Sequence, residues 1–375
     1  MTQEALIAGY VRTPFTTARK GALADVRPDT LSAHVIRALV MQTGIPAETL
    51  EDVLWGCAFP EGEQGLNIGR VAGLLGGLPE GVPGATVNRW CGSSMQTVQM
   101  AAGQIATGSG DAFIAGGVES MTRVPMMGFN LMPPSVWDAK QVTDFTNMGL
   151  TAETVASRYG ITREEQDSFA VASQTKALQA QAEGCFAPEI APFNDTDSDG
   201  CVRHTTMDKL ATLRTVFLEG GTVTAGTSSP MADGAAAVLV CSPDYAERHG
   251  LTPMARITGF AVSGCAPEVM GLGPIESSRK AMARAGVGMD DIDIVEMNEA
   301  FAAQSLACIR DLEIDSAKLN IDGGALAIGH PLGATGARLI GKAALLLQRE
   351  GKRHALATQC IGGGMGIAMV LEAVS

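Results

Sequence analysis

The order of predicted strands and helices occurs twice along the chain, and this duplication constrains the fold more than any other feature. In each copy, buried strands alternate with helices until a small polar or glycine-rich turn, which is followed by a further helix and by a strand that runs into glycines. The copies cover residues 5–119 and 255–364. Strands that alternate with helices predict parallel strands joined by crossover helices. We therefore expect two similar α/β halves related by a pseudo-twofold axis.

The duplication pairs two turns and two strand ends. Cys91 stands just before a helix in the first copy, and His330 occupies the same place in the second. Ala115-Gly116-Gly117 and Cys360-Ile361-Gly362 are predicted to be the corresponding strand ends. Because the halves face each other across the pseudo-symmetry axis, Cys91 and His330 are expected to lie close together.

The rhythm breaks between the two copies. Residues 122–146 are rich in Met, Pro and Phe and have no clear period, which is typical of a functional segment when the composition is too apolar for disorder. We interpret them as the start of an inserted loop domain that covers a site or a subunit contact. Helices are predicted over 151–159 and 163–182, and the polar run at 194–200 is predicted to be a solvated turn. The predicted organisation is a first half at 1–121, the loop domain at 122–220, the closing part of the first half at 221–253 and the second half at 254–375.

Charge and cysteine usage exclude several classes of protein. The formal net charge of -13 argues against a general nucleic-acid binder. The eight cysteines are scattered, with no CxxC pair and no zinc-type spacing, which predicts free thiols in a reducing compartment. The N-terminus enters an apolar strand without a basic leader, and no apolar run reaches about 18 residues. We expect a cytoplasmic protein with no membrane span, no metal site and no nucleic-acid partner.

Four motifs carry the candidate chemistry: Cys-Gly-Ser-Ser at Cys91, Asn-Glu-Ala-Phe at Asn298, Gly-His-Pro at His330 and Cys-Ile-Gly-Gly-Gly at Cys360. A cysteine at a helix N-terminus is expected to favour the thiolate, because unpaired N–H groups and the helix dipole attract an anion. A cysteine nucleophile with a histidine fits acyl transfer through a thioester. A second cysteine beside glycine N–H groups fits a proton donor next to an oxyanion hole. Each motif alone has an ordinary structural explanation; together they predict carbon–carbon cleavage beside a carbonyl.

In this order the four motifs resemble those of thiolases (acetyl-CoA acyltransferases). The resemblance runs from the strand before Arg12-Thr13-Pro14 to the last strand, and includes residues 224–229 and 233–237. It implies the α/β thiolase fold, in which the duplicated halves form a five-layered α/β/α/β/α arrangement with an inserted loop domain. It also implies acyl-CoA and CoA as substrates, with CoA a co-substrate and no tightly bound cofactor.

The resemblance also implies a role for each site residue. Cys91 would be the nucleophile that becomes acylated, His330 its activator, and Cys360 the group that moves the α-carbon proton. His330 and a water held by Asn298 would form one oxyanion hole, and the backbone N–H groups of Cys91 and Gly362 the second. The resemblance places further residues near CoA, which are Ser229 at the pantetheine arm, Arg203 at the nucleotide end, where the spacing differs from the family's, and Met148 in the loop domain.

The direction of the reaction is predicted from the loop domain. Acetoacetyl-forming thiolases carry His before Met-Gly, whereas this chain has Asn147 before Met148 and Gly149. It therefore looks more like the 3-ketoacyl-CoA thiolases of β-oxidation, which implies thiolytic cleavage of 3-ketoacyl-CoA. Met365 stands where the family usually has Gln. The resemblance implies a homodimer or homotetramer, and it is compatible with binding to a β-oxidation partner subunit.

Three alternatives stay open. The first is a biosynthetic acetyl-CoA C-acetyltransferase that forms acetoacetyl-CoA. The second is a decarboxylating condensing enzyme, which would use a cysteine with two histidines or with His and Asn, and which Cys360 in place of a second histidine disfavours. The third is a non-catalytic acyl-CoA or lipid carrier on the same scaffold, which the presence of both Cys91 and His330 disfavours.

Overall fold

Strands and helices alternate through most of the chain in the computed structural model, which describes residues 3–374. The strands are β1 (Leu6–Arg12), β2 (Thr16–Thr17), β3 (Asp52–Gly56), β4 (Gly84–Val87), β5 (Ala112–Ser120), β6 (Ala232–Cys241), β7 (Ala255–Gly264), β8 (Ile294–Met297), β9 (His354–Ile361) and β10 (Met365–Ala373). The helices are α1 (Pro28–Thr43), α2 (Ile68–Leu75), α3 (Ser93–Ala106), α4 (Ala139–Thr146), α5 (Met148–Tyr159), α6 (Arg163–Ala182), α7 (Met207–Ala211), α8 (Pro243–Arg248), α9 (Gly273–Ala285), α10 (Ala302–Leu312), α11 (Ala325–Ile328) and α12 (Leu332–Glu350).

The strand order repeats in the two halves. The first half has the order β4-β3-β5-β6-β1 and the second has β8-β9-β10-β7. In both, the pair β3–β5 or β8–β9 is parallel, and the pairs that follow it towards the centre of the sheet are antiparallel. The second half lacks a full counterpart of β4, but Leu319 makes an isolated parallel bridge to Val295 in the same place. The predicted duplication is therefore confirmed.

The two half-sheets are joined at one corner by two residue pairs, Leu6–Arg256 and Ile7–Ala255. Elsewhere α3 and α12 lie between them and share a core with strands of both halves. On the outer faces, α1 and α2 cover the first half-sheet, and α9 and α10 cover the second. This is the predicted five-layered α/β/α/β/α arrangement. Within residues 3–374, no helix combines the length and the apolar character needed to cross a membrane.

The central helices cross at very short range. A Cβ at Gly336 of α12 would collide with the backbone of Met95 on α3. Where they cross, the Ala337 N–H donates to the Ser94 hydroxyl at 2.9 Å. Because Cys91 and His330 each stand two residues before one of these helices, the crossing fixes both turns relative to each other.

The loop domain lies between β5 and β6 and contains α4 to α7, of which α4 and α7 were not predicted. In the second half the equivalent connection, from β9 to β10, is only the turn 362–364. The prediction that residues 194–200 form a solvated turn was wrong for Asp199. This side chain is buried and pairs with the buried Arg12 guanidinium at 2.7 Å, because β1 passes directly beneath the turn.

The prediction that Ala115-Gly116-Gly117 corresponds to Cys360-Ile361-Gly362 was wrong in its register. Gly56 pairs with Gly117 in the first half, and Met297 pairs with Thr358 in the second. Two residues further along these strands, Glu119 therefore corresponds to Cys360. The glycines at 116–117 do not end β5, since it continues to Ser120.

Candidate active site

One largely apolar cavity of about 680 Å³ lies where the turns before α3 and α12 approach each other. Its floor includes Cys91, His330, Cys360 and Gly362, which come from three separate stretches of the chain. Its other walls come from the loop domain, from residues 225–231, from Met121 at the end of the first part, and from Met270, Ala300, Phe301 and Leu332 of the second half. The structure therefore brings together side chains that are up to about 270 residues apart in sequence, as the hydrogen bond from Gln359 to the Cys91 carbonyl illustrates.

The turn that carries Cys91 is fastened on both sides. Cys91 lies in a short 3₁₀ turn, Trp90–Gly92, directly before α3. The Ser93 hydroxyl accepts the Arg89 N–H at 2.9 Å and donates to the Trp90 carbonyl at 2.6 Å. A Cβ at Gly92 would collide with Ile361 of β9. The glycine after Cys91 thus allows this turn to lie directly against the strand that carries Cys360.

Burial decides the protonation state of Cys91. It raises the pKa of the thiol to about 11, although the backbone N–H groups of Gly362 and of Cys91 itself, which hydrogen-bond to the sulfur, pull the pKa down. The nearby charge of Glu119 also raises this pKa. The prediction that the helix N-terminus would favour the thiolate was wrong, because the loss of hydration outweighs the attraction of a few N–H groups.

Thr335 fixes the ring orientation of His330. The Thr335 hydroxyl donates to the Pro331 carbonyl at 3.0 Å, so its oxygen accepts from the histidine Nδ1–H at 2.7 Å. The Nε2 atom then carries the lone pair, and it lies 3.3 Å from Asn298 Nδ2. Burial lowers the pKa of His330 to about 3, so the imidazole is neutral at physiological pH.

Asn298 follows β8 directly and is fully buried. Its backbone N–H donates to the Thr358 carbonyl at 3.0 Å, which holds it beside β9. Asn320 clamps the preceding residue, since it both accepts from the Met297 N–H and donates to its carbonyl at 2.9 Å. Among the residues that the structure describes, the Asn298 Oδ1 atom has no hydrogen-bond partner. It is therefore available to a ligand or a water molecule.

Cys360 lies near the end of β9, opposite Gly366, and is 1 % exposed. Burial, and then the proximity of Cys91, raise the pKa of its thiol well above the usual value. Both cavity thiols are therefore protonated at neutral pH, and either one can give a proton to a neighbouring base or carbanion.

Two of the three predicted CoA-binding residues line the cavity, and the third does not. Ser229 lines the cavity, and its N–H donates to the Ala300 carbonyl at 2.9 Å. Met148 also lines it, at the start of α5. Arg203 is exposed and lies outside the lining, where its backbone N–H donates to the Gln174 side chain at 2.9 Å.

Sequence reasoning missed Thr335 and Glu119. Thr335 stands in the first turn of the helix after His330, a position from which a hydroxyl can reach back to the preceding turn, so the signal was present. Glu119 is apparent only once the register of the two half-sheets is known. In residues 3–374, no group of three or more His, Cys, Asp or Glu side chains is arranged to hold a metal ion.

Comparison with known proteins agrees with this geometry. The family described as "Thiolase, N-terminal domain" matches residues 5–244, and "Thiolase, C-terminal domain" matches residues 251–373. A 3-ketoacyl-CoA thiolase of Bacillus subtilis (strain 168) is 44% identical over 388 aligned residues, which cover 99% of each chain.

Two solved structures are similar over the whole chain. Human mitochondrial 3-ketoacyl-CoA thiolase in complex with CoA superposes with a TM-score of 0.92 at 36% identity, covering 100% of this chain and 98% of that one. The Bacillus anthracis acetyl-CoA acetyltransferase gives a TM-score of 0.91 at 35% identity, covering 100% and 99%. Since the family matches extend over both halves and the identity holds over nearly the full length, the chain belongs to the thiolase family.

Proposed function

We propose that this protein is a 3-ketoacyl-CoA thiolase, an acyltransferase that uses free CoA to cleave 3-ketoacyl-CoA into acetyl-CoA and a shortened acyl-CoA. The observation that carries the proposal is that Cys91, His330, Cys360 and Gly362 meet in one apolar cavity, where the Gly362 N–H lowers the pKa of the Cys91 thiol. A nucleophile, a base, a proton donor and an N–H donor for an oxyanion are then all present.

In the first step Cys91 attacks the 3-keto carbon. Because both groups are neutral at rest, the Cys91 proton passes to His330 Nε2 as the sulfur–carbon bond forms. The Thr335 contact keeps Nε2 unprotonated and ready to accept it. The N–H groups of Cys91 and Gly362 then stabilise the tetrahedral oxyanion.

In the second step the bond between the α-carbon and the former keto carbon breaks. Acetyl-CoA leaves as an enolate, and the Cys360 thiol protonates its α-carbon. His330, now an imidazolium, and a water held by Asn298 stabilise the enolate oxygen. The position of Asn298 supports this role, since its Nδ2 faces His330 at 3.3 Å and its buried Oδ1 is available to accept from a water.

Free CoA completes the cycle. Its thiol gives a proton to the Cys360 thiolate and attacks the acyl group on Cys91, and the departing Cys91 thiolate regains its proton from His330. Each proton is thus returned, and the kinetics are ping-pong. Ser229 and Met148 would contact the pantetheine arm and the acyl group within the cavity. The exposed Arg203 would meet the nucleotide end of CoA outside it.

The degradative direction is supported by the walls of the cavity. Asn147, Met148 and Gly149 line it at the start of α5, and most of the large side chains in the remaining lining are apolar, including four Met and two Phe. The apolar wall suits an acyl chain longer than acetyl. The alternative is acetoacetyl-CoA synthesis, and the structural similarity to an acetyl-CoA acetyltransferase supports this second candidate.

We also propose that the protein works in the cytoplasm, in β-oxidation, as a homodimer or homotetramer. The eight cysteines are free in the structure, which suits a reducing compartment. Exposed apolar side chains of the loop domain support an interface with another copy or with a partner subunit, among them Phe129, Met132 and Val136.

Trapping the acyl-enzyme tests the proposal. We expect 3-ketoacyl-CoA added without free CoA to leave an acyl group on the Cys91 peptide, detected by mass spectrometry after an acid quench. Cys91→Ala should lose both the adduct and thiolysis, by at least about 10⁴-fold in turnover, whereas Cys185→Ala, which alters a loop-domain cysteine outside the cavity, should keep both. Near-wild-type thiolysis by Cys91→Ala would contradict the proposal. Rates of thiolysis from acetoacetyl-CoA to long-chain 3-ketoacyl-CoA, compared with acetyl-CoA condensation, then decide between degradation and synthesis.

A further inference from the structure

Each half contributes one turn residue and one strand-end residue around the site. The turn residues are Cys91 and His330, and the strand-end residues are Glu119 and Cys360. The last two share a detail of their surroundings, because each faces a glycine on the neighbouring antiparallel strand, Gly234 for Glu119 and Gly366 for Cys360. The proposed mechanism uses Cys91, His330 and Cys360. Glu119 is the member without a role.

Glu119 is fully buried, and its carboxylate is surrounded by donors. Its Oε2 atom accepts the N–H groups of Ala58 and Gly333, both at 2.9 Å. Its Oε1 atom accepts the Gln64 side-chain amide at 2.7 Å and the Phe59 N–H at 3.3 Å. Burial raises the pKa of Glu119 and these bonds oppose the rise. Because both oxygens accept N–H groups, the arrangement suits the ionised form.

The bond to Gly333 connects Glu119 to the catalytic turn. Gly333 lies in the first turn of α12, three residues after His330, where an anion is stabilised by the helix N-terminus. The contact is close on every side. A Cβ at Gly333 would collide with the Val118 carbonyl, and a Cβ at Gly117 would collide with the Gly333 carbonyl. The start of α12 is therefore seated directly on the ends of β3 and β5.

We propose that Glu119 is a positioning residue of the reaction. Its buried carboxylate holds the first turn of α12, and with it His330, against the strand ends beside Cys91, and so sets the path along which the Cys91 proton reaches Nε2. Glu119 is not among the residues that line the cavity, so it acts through Gly333 and not on the substrate. The inference rests on the proposed thiolytic function.

The charge of Glu119 has a second measurable effect, which is on the ionisation of Cys91. Glu119 is one of the groups that raise the pKa of Cys91. Removing the charge should make the Cys91 thiol ionise more easily, while the displaced turn makes catalysis slower. A variant that is only less well folded or less rigid would lose activity without making the Cys91 thiol easier to ionise.

The test compares Glu119→Gln with Asp293→Asn. Asp293 also accepts two backbone N–H groups, from Arg353 and His354 at 3.0 Å, but it lies before β8, at the opposite end of the sheet from Asn298. For Glu119→Gln we expect kcat for thiolysis to fall about 10²-fold, the effect of a small misplacement of a reacting group, with KM within about twofold. Alkylation of the Cys91 peptide by iodoacetamide, followed by mass spectrometry across pH, should shift to lower pH. Asp293→Asn should change neither.

Glu119→Asp provides the conservative variant and remains informative if Glu119→Gln does not fold. It keeps the charge, so the alkylation profile should match the wild type, but its shorter side chain cannot reach Gly333 and Gln64 together, so kcat should fall in between. Unchanged kcat in either folded variant overturns the proposal. For Glu119→Gln, an alkylation profile that does not shift overturns it as well, as does a rise in KM by the same factor as the fall in kcat. Absence of thiolysis in the wild type would instead refute the proposed function, and the alkylation profiles would still report whether Glu119 acts on Cys91.

Discussion

The two halves of the molecule share one scaffold but contribute different chemistry. The first half places Cys91 at the turn and Glu119 at the strand end, whereas the second places His330 and Cys360 at the same positions. The duplication thus supplies four positions directed at a common centre. In the proposed mechanism the two turns differ because Cys91 is the nucleophile and His330 its base. The two strand ends differ because one carries the Glu119 carboxylate and the other the Cys360 thiol.

The halves also differ in the connection that leaves the strand end. After β5 the chain departs into the whole loop domain, whereas after β9 it turns back within residues 362–364. The long connection covers the cavity, and the short one directs the Gly362 N–H at Cys91. In the proposed mechanism, one half therefore encloses the substrate while the other provides an oxyanion donor, and each role needs the length of connection that it has.

After the loss expected for Cys91→Ala, the largest effect is expected where the strand ends differ in chemistry. Replacing Cys360 by Ala should lower exchange of the acetyl-CoA α-protons with deuterated solvent by about 10³-fold, the usual contribution of a positioned proton donor. Exchange is measured by NMR of acetyl-CoA. Cys241→Ala is the matched control, because Cys241 is another buried cysteine on a strand, at the far end of β6. Unchanged exchange in Cys360→Ala would remove this residue from its role.

A smaller effect is expected where the first helical turns differ. Thr335 of α12 holds the His330 ring, whereas Gln96, its counterpart on α3, accepts from the Arg89 side chain at 2.8 Å and does not hold Cys91. Thr335→Val should lower kcat by about 10- to 100-fold, the typical cost of losing a residue that orients a functional histidine, with little change in KM. Thr335→Ser keeps the hydroxyl and should remain close to the wild type. Equal activity of the Val and Ser variants would show that the tautomer is fixed in another way.

Local sequence patterns predicted the parts of the fold that depend on local structure. The helix predicted at 163–182 is present, and it begins with a capping box of Thr162 and Glu165, a pattern that is visible in the sequence. The strands β6 and β10 were not recognised. The first is rich in Ala, which has low β-propensity, and both are buried on both faces over most of their length, so neither shows alternation. The capping box of Asp138 and Gln141 at α4 was also overlooked.

The arrangement of the site depends on contacts that local patterns do not contain. Cys91, His330 and Cys360 could be recognised from their motifs, and the duplication indicated that the first two would meet. Glu119 could not be recognised, because its equivalence to Cys360 depends on the pairing register. Asp199 looked solvated, because its partner Arg12 lies 187 residues away in sequence. The thiolate prediction for Cys91 failed because helix position is visible in a sequence and desolvation is not.

The smallest effect, and the sharpest comparison, concerns the pH response of the two turn residues. Burial moves their pKa values in opposite directions, to about 11 for Cys91 and about 3 for His330, so the resting pair is a neutral thiol and a neutral imidazole. Single-turnover acylation should therefore show no inflection near the ordinary histidine pKa of about 6.5.

Alkylation of Cys91 in the absence of substrate supplies the contrast, because it needs the free thiolate. Since the raised pKa lies above the accessible range, the thiolate fraction and the alkylation rate should rise about tenfold per pH unit from about pH 6 to 9 without a plateau. Acylation should stay flat over the same range, because the substrate reacts with the neutral pair as the proton moves to His330. A plateau in the alkylation rate below pH 9 would instead mean a thiolate–imidazolium pair at rest, because such a pair requires the pKa of Cys91 to lie below that of His330. In that case the stabilisation of the Cys91 thiolate by the N–H groups of Cys91 and Gly362 would outweigh the effect of burial on its pKa, even before acylation.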